Sequence, residues 1–187
     1  MSTFDVIKGV GIATALSAAL IVSATAADSP AMETPGIAGE APIVPLPHAA
    51  YQPEKSATYK VVFALTKAGE TPQEVSPSLL RVARTVNLYA SAGVPLAHLK
   101  FVAVAYGAAT GAMLDNDHYK EKYGVANPNL ALIRKLKSAG VDVAICGQAV
   151  IESKYQYAWI SSDVTVALSA LTTITVLQQQ GYALMPL

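Results

Sequence analysis

One cysteine, Cys146, stands in the run Ile145-Cys146-Gly147-Gln148, and it is the strongest candidate for chemistry in the chain. A thiolate attacks sulfur and carbon centres, so such a residue suits sulfur transfer or thiol exchange. Gly147-Gln148 reads as the opening of a short helix, whose partial positive charge favours the anionic form of a group placed there. The other use of a lone cysteine is as a small buried hydrophobe at the end of a strand. No general base stands beside it in the motif, and the residues alone leave both uses open. With no second cysteine the chain forms no internal disulfide, and its core must hold without covalent help.

The other residues able to build a site are Lys67, Tyr106, Gly107, His118, Gly147 and Gln148. All stand at or beyond the ends of expected strands. Lys67 offers a cation for an anionic ligand, Tyr106 and Gln148 offer polar contacts, and Gly107 and Gly147 allow close backbone approach. His48, His98 and His118 lie far apart and form no HxH or HExxH spacing. Cys146 with His118 gives at most two ligands, so no metal site is expected. The stretch Gly107-Ala108-Ala109-Thr110-Gly111 follows a strand but lacks the lysine of a P-loop and the spacing of a dinucleotide fingerprint. It reads as a close-packing turn, and no cofactor is expected. Ser169 has no nucleophile-elbow context. Asp115, Asp117 and Glu121 read as a solvated acidic face.

These residues need elements to hold them. Tyr59 to Leu65 is short, apolar and rich in β-branched and aromatic residues, and predicts a buried strand. Ser76-Pro77 starts a helix as N-cap and first helical position, with Leu79, Val82, Ala83, Val86 and Ala90 on one stripe and Gly93 and Pro95 ending it. Lys100 to Tyr106 predicts a second strand. Ala109, Met113 and Leu114 predict a short helix, and Asp115-Asn116-Asp117-His118 a polar loop or frayed turn. Asn127-Pro128 opens a helix carrying Leu130, Ile133 and Leu136 and stopping at Gly140. Val141 to Cys146 predicts the third strand.

Asp163 is expected to cap one long helix from Val164 to Gln180, although Val164, Val166, Thr172, Thr173, Ile174 and Thr175 favour strands locally. Gly181 ends it before a last strand, Tyr182 to Met185. Val164, Val166, Leu168, Leu171, Ile174 and Leu177 cover more of that helix than one sheet face needs, which predicts an oligomer interface. Alternation of strand and helix is the grammar of a mainly parallel α/β sheet of about four to five strands, covered on both faces. Ligands of such sheets bind where strands end and helices begin.

Composition narrows the function classes. Thirteen basic and 13 acidic residues cancel, so nothing points to nucleic acid or an anionic lipid surface. Charged residues are 14% against roughly 25% in an average domain, and 52% are apolar, which excludes intrinsic disorder. Lys8, the apolar run Val10 to Val22 and Ala24-Thr25-Ala26 have the layout of a secretory signal peptide over residues 1–26. A periplasmic or secreted protein without a membrane anchor after cleavage is expected. Six of the 11 prolines then fall in residues 27–58, which predicts an extended, semi-rigid leader lying along the domain or a neighbouring subunit. Residues 59–187 form the expected α/β domain.

The runs Asn127-Pro128-Asn129-Leu130, Lys135-Leu136-Lys137-Ser138-Ala139-Gly140-Val141 and Ile145-Cys146-Gly147-Gln148-Ala149 resemble the DsrE/DsrF-like family. Val166-Ala167-Leu168-Ser169-Ala170-Leu171-Thr172 and Leu177-Gln178-Gln179-Gln180-Gly181-Tyr182 extend the resemblance, which covers about residues 58–187. It implies a three-layer α/β/α fold and a homo-oligomer, often a trimer or hexamer. The better-understood relatives are sulfur-relay proteins that carry persulfide sulfur on one cysteine after the third strand. The resemblance therefore implies that role for Cys146, with a donor or acceptor protein as partner. Relatives commonly end the second strand with His-Gly; this chain has Tyr106-Gly107, which departs from that pattern. A non-enzymatic ligand-binding or structural oligomer, with Cys146 only packing, is the rival expectation.

Overall fold

A computed structural model describes residues 31–187; the expected signal peptide lies outside the described residues. Tyr59–Leu65 (β1) is a strand whose last five side chains are buried, as an apolar run of this length requires when both faces are covered. Leu99–Ala105 (β2), Asp142–Cys146 (β3), Thr165–Ala167 (β4) and Ala183–Pro186 (β5) complete one sheet in the order β4-β3-β2-β1-β5, and each pairing is parallel. The register sets Val62 beside Val102, Val104 beside Ala144, and Cys146 beside Ala167.

The helices are Pro77–Ser91 (α1), Asn116–Tyr123 (α2), Leu130–Ser138 (α3), Gly147–Glu152 (α4) and Ala170–Gln179 (α5). Strands β1 to β4 are added stepwise in one direction, and the chain then crosses back to place β5 beyond β1. Parallel crossovers are right-handed, so a reversal of direction puts its connection on the opposite face. The burial follows that rule. α1, α3 and the β3–β4 connection close over Phe63, Phe101, Val143 and Ile145 on one face, while α5 lies over Val62, Val104, Ala144 and Cys146 on the other. Together these form a three-layer α/β fold.

Several local expectations are corrected. Val164 to Gln180 is not one helix: Thr165–Ala167 pairs with β3, and the helix starts only at Ala170. Thr165 and Val166 follow their β-branched preference, and Ser169 caps the helix by accepting the Leu171 N–H at 3.0 Å. Asp163 caps nothing and pairs with Lys137 at 3.2 Å. Asp115 to His118 is no loop but the cap and first turn of α2, with Asp115 accepting the His118 N–H at 2.9 Å and Gly124 closing the helix at φ 77°. Gly107–Met113 is a 3-10 helix, within which a Cβ on Gly111 would lie 2.5 Å from the Tyr123 hydroxyl. Ser76 occupies the N-cap position of α1, yet its hydroxyl donates to the Lys67 carbonyl at 2.6 Å.

Residues 31–58 carry no regular element beyond an antiparallel bridge between Glu33 and Ile43. They pack on the α1 and α3 side, where Ile37, Ala41 and Ile43 are buried.

Candidate functional site

β3 and β4 are neighbours whose continuations part. From β3 the chain turns into α4 and the 3-10 helix Tyr157–Trp159, with Tyr155, Ile160 and Val164 in the α1–α3 core. From β4 it turns into α5 on the opposite face. A crevice opens where such neighbours diverge, and this is where open α/β sheets hold their ligands. Cys146 is the last residue of β3 and is paired with Ala167, the last of β4, so the lone thiol stands at that divergence.

Its surroundings are mostly apolar. Cys146 is 6% exposed and shares a cluster with Val62, Val104, Ala144, Ala149 and Ala170, against which Tyr106 packs. Its sulfur accepts the Ala149 N–H at 3.5 Å, acting as the N-cap of α4. Gly147 is required by close approach: a Cβ there would meet the Ala167 carbonyl oxygen at 2.7 Å. Gln148 is exposed and donates from Nε2 to the Leu168 carbonyl at 3.5 Å, bridging the two diverging strands. Tyr157 reaches the Gly147 carbonyl with its hydroxyl at 3.4 Å. Tyr157 and Leu168 were not legible as site residues, because tertiary folding alone brings them to the Cys146–Gly147 turn.

The structure thus brings Cys146, Tyr106, Gly147 and Gln148 to the same edge of the sheet. Lys67 and His118 belong to other surroundings. The backbone of Lys67 is tied to the start of α1, its carbonyl accepting from Ser76 and its N–H donating to the Ser78 hydroxyl at 3.4 Å, while its side chain is exposed. The loop after it borders a separate cavity of about 200 Å³ against Tyr119 and Tyr123. Burial, followed by neighbouring tyrosines, raises the pKa of both phenols above the ordinary tyrosine value. Gly107, at φ 57°, opens the 3-10 helix after Tyr106. The Asn127 and Asn129 side chains tie these loops together: Asn129 Oδ1 accepts the Ser76 N–H at 2.8 Å, and Asn127 Nδ2 donates to the Leu114 carbonyl at 2.6 Å.

His118 stacks on Trp159 with ring centroids 4.8 Å apart, and its Nδ1 lies 2.8 and 2.9 Å from the two Asp115 carboxylate oxygens. Partial burial of Asp115 pushes its pKa up, but hydrogen bonds from the His118 backbone and ring and from the Asp117 backbone outweigh it, so the net shift is downward. Among the described residues no three His, Cys, Asp or Glu side chains lie together as a metal site. Nor is any described helix long and apolar enough to cross a membrane.

A five-stranded parallel sheet with a lone thiol where two neighbouring strands diverge defines a class of α/β protein with one candidate site. The chain belongs to the DsrE/DsrF-like family, whose match spans residues 60–187. A solved structure of the same fold is a protein of unknown function, MTH1491 from Methanobacterium thermoautotrophicum; the similarity has a TM-score of 0.52 at 20% identity and covers 69% of this chain and 99% of that one. No curated protein matches the chain.

Proposed function

We propose that the protein is an exported sulfur carrier that works as a homo-oligomer, a trimer or hexamer, and holds sulfane sulfur on Cys146. The observation that carries this reading is the place of the only thiol, at the end of β3 beside the end of β4 where the two strands diverge, in a chain whose family is related to sulfur relay. In the step proposed, the Cys146 thiolate attacks the outer sulfur of a donor persulfide. The new S–S bond forms at Cys146, the donor's S–S bond breaks, and the donor leaves as a thiolate, with no net oxidation. Gln148, the Gly147 backbone and Tyr106 would border the loaded sulfur, and apolar neighbours would shield it from water. Export rests on the sequence of residues 1–26.

The oligomer reading rests on α5 and its flanks, where Leu171 is 83% and Leu168 72% exposed, with Val166 and Val176 also in solvent. Apolar side chains this exposed and this close mark an interaction surface, and a second copy of the chain is the partner proposed.

The test is mass spectrometry of the folded protein after incubation with a persulfide donor. Wild type is expected to gain the mass of one sulfur atom, and Cys146→Ser to gain none while keeping its assembly state. Equal loading of both proteins would refute the role of Cys146. The rival reading, that Cys146 only packs, is favoured by its 6% exposure among apolar neighbours. It predicts no alkylation of Cys146 by iodoacetamide until the fold is lost.

A further inference from the structure

The segment from Glu33 to Ile43 lies in a groove between α1 and α3, and the contacts holding it are specific rather than merely apolar. At the floor of the groove stands Asn87, fully buried on the stripe that α1 turns inward. Its carboxamide is spent on the backbone of the segment. Oδ1 accepts the N–H of Gly36 at 2.9 Å and of Ile37 at 2.7 Å, while Nδ2 donates to the carbonyls of Glu40 at 2.8 Å and Ala41 at 3.1 Å. A buried carboxamide left without partners is costly, so this side chain needs a peptide segment above it.

Side-chain selection is added to that backbone reading. Position 36 has room only for glycine, since a Cβ would sit 2.8 Å from the Val86 Cγ1. Ile37 is 1% exposed and enters the main core. Glu40 pairs with Lys135 at 2.6 Å, and the same ammonium donates to the Ala38 carbonyl at 3.0 Å. Ile43, also buried, closes the segment on itself through two hydrogen bonds with Glu33 at 2.9 and 3.0 Å. The turn places Ala41 at φ 44°, a left-handed conformation that a non-glycine residue keeps only where its surroundings hold it. Beside Ile37 the groove continues as a cavity of about 490 Å³ lined by Leu96, Ala131, Arg134 and Ala139. The family match begins at residue 60, so this segment lies outside the matched residues.

We infer that the α1–α3 groove is a peptide-recognition site, that its ligand pattern is glycine, aliphatic, one free position, a second glycine held at φ 76° and an acid, and that residues 33–43 are its resident ligand. The segment is a strap held by the same contacts that would hold that pattern in a separate chain. The test uses the full chain and a fluorescein-labelled synthetic peptide of residues 31–44. Ile37→Asp in the chain expels the strap, which is read as faster hydrogen exchange over residues 33–43 with the amides of Val62 and Val104 still protected. That variant is expected to bind the peptide at least about tenfold tighter than wild type, whose groove is filled. A peptide carrying Gly36→Ala is expected to lose about tenfold or more of that affinity. If the strap is released and the labelled peptide still does not bind, or binds equally with Gly36→Ala, the groove is no recognition site. If exchange over residues 33–43 does not rise, the strap is not held as inferred. Should Ile37→Asp also unprotect the sheet, Gly36→Ala in the chain replaces it as the releasing change, with the same two readings.

Discussion

The two faces of the sheet are built from similar strand residues but covered very differently. On one face α1, α3, the strap and the β3–β4 connection bury Phe63, Phe101, Leu132, Ile133 and Leu136 to 1% exposure or less. On the other, α5 contributes only Ala170 as a buried residue and leaves Leu171 and Val176 in solvent. The asymmetry follows from topology. Three successive crossovers in one direction load one face, and a single return crossover serves the other. Cys146 points to the thinly covered face, in the cluster that α5 covers.

If the well-covered face carries the stability, the largest effect belongs there. Phe101→Ala removes a ring packed edge-on against Phe63 at 5.2 Å and Tyr89 at 5.6 Å. A loss of about 3–5 kcal/mol is expected from chemical denaturation, the range for emptying a buried aromatic site. A cost below about 1 kcal/mol would show that this face is less well packed than its burial implies. Next in size is Gly147→Ala at the seam between the faces. Its Cβ would press on the Ala167 carbonyl, which is backbone and gives little. Overpacking of this kind costs about 1–3 kcal/mol, and the displaced β4 end should also change the alkylation rate of Cys146 in the folded protein. An unaltered rate would separate the glycine from the site.

How far these features were legible in the sequence depended on whether the signal was local. β1 has the bounds that its apolar run predicts, and Cys146 does end a strand and start a helix. The single stretch from Val164 to Gln180 concealed a strand, a cap and a helix, because all its parts are apolar and neither period dominates. Ser169 was the hidden signal, a capping residue read as a member of the helix. α2 is hidden for the opposite reason: its surface is so polar that no apolar stripe exists, and only Asp115 and Gly124 mark its ends. Asn87 gave no local sign of its role, since an asparagine on a helix is ordinarily solvated and its four backbone partners lie about fifty positions upstream. Tyr157 and Leu168, which meet the Gly147–Gln148 turn, are likewise brought there only by folding.

α2 provides a smaller effect with a pH signature. Asp115→Ala removes the cap and the partner of His118, and should cost about 1 kcal/mol, whereas Asp115→Asn keeps a capping oxygen and should cost less. Because Asp115 is more acidic folded than unfolded, its contribution is present above its unfolded pKa, near 3.9, and is lost as pH falls through the lower folded value. Acid denaturation curves of wild type and Asp115→Asn should therefore converge at the lowest pH. Curves that stay parallel would mean that the Asp115 carboxylate is not the titrating group.

The smallest expected change in stability is the one that separates the two faces most sharply. Leu171 is 83% exposed, so Leu171→Glu removes almost no buried contact within one copy of the chain. Its effect on the stability of the isolated protomer should fall within about 0.5 kcal/mol, as for surface changes generally. If a second copy covers α5, however, the same substitution places a carboxylate in an apolar interface. Burying that charge without a partner is costly, so the assembly should dissociate. Analytical ultracentrifugation at matched concentrations is expected to show wild type as an oligomer and Leu171→Glu as a protomer with an unchanged circular dichroism spectrum. A variant that sediments like wild type would remove α5 from the interface, and the thinly covered face would then need an explanation other than self-association.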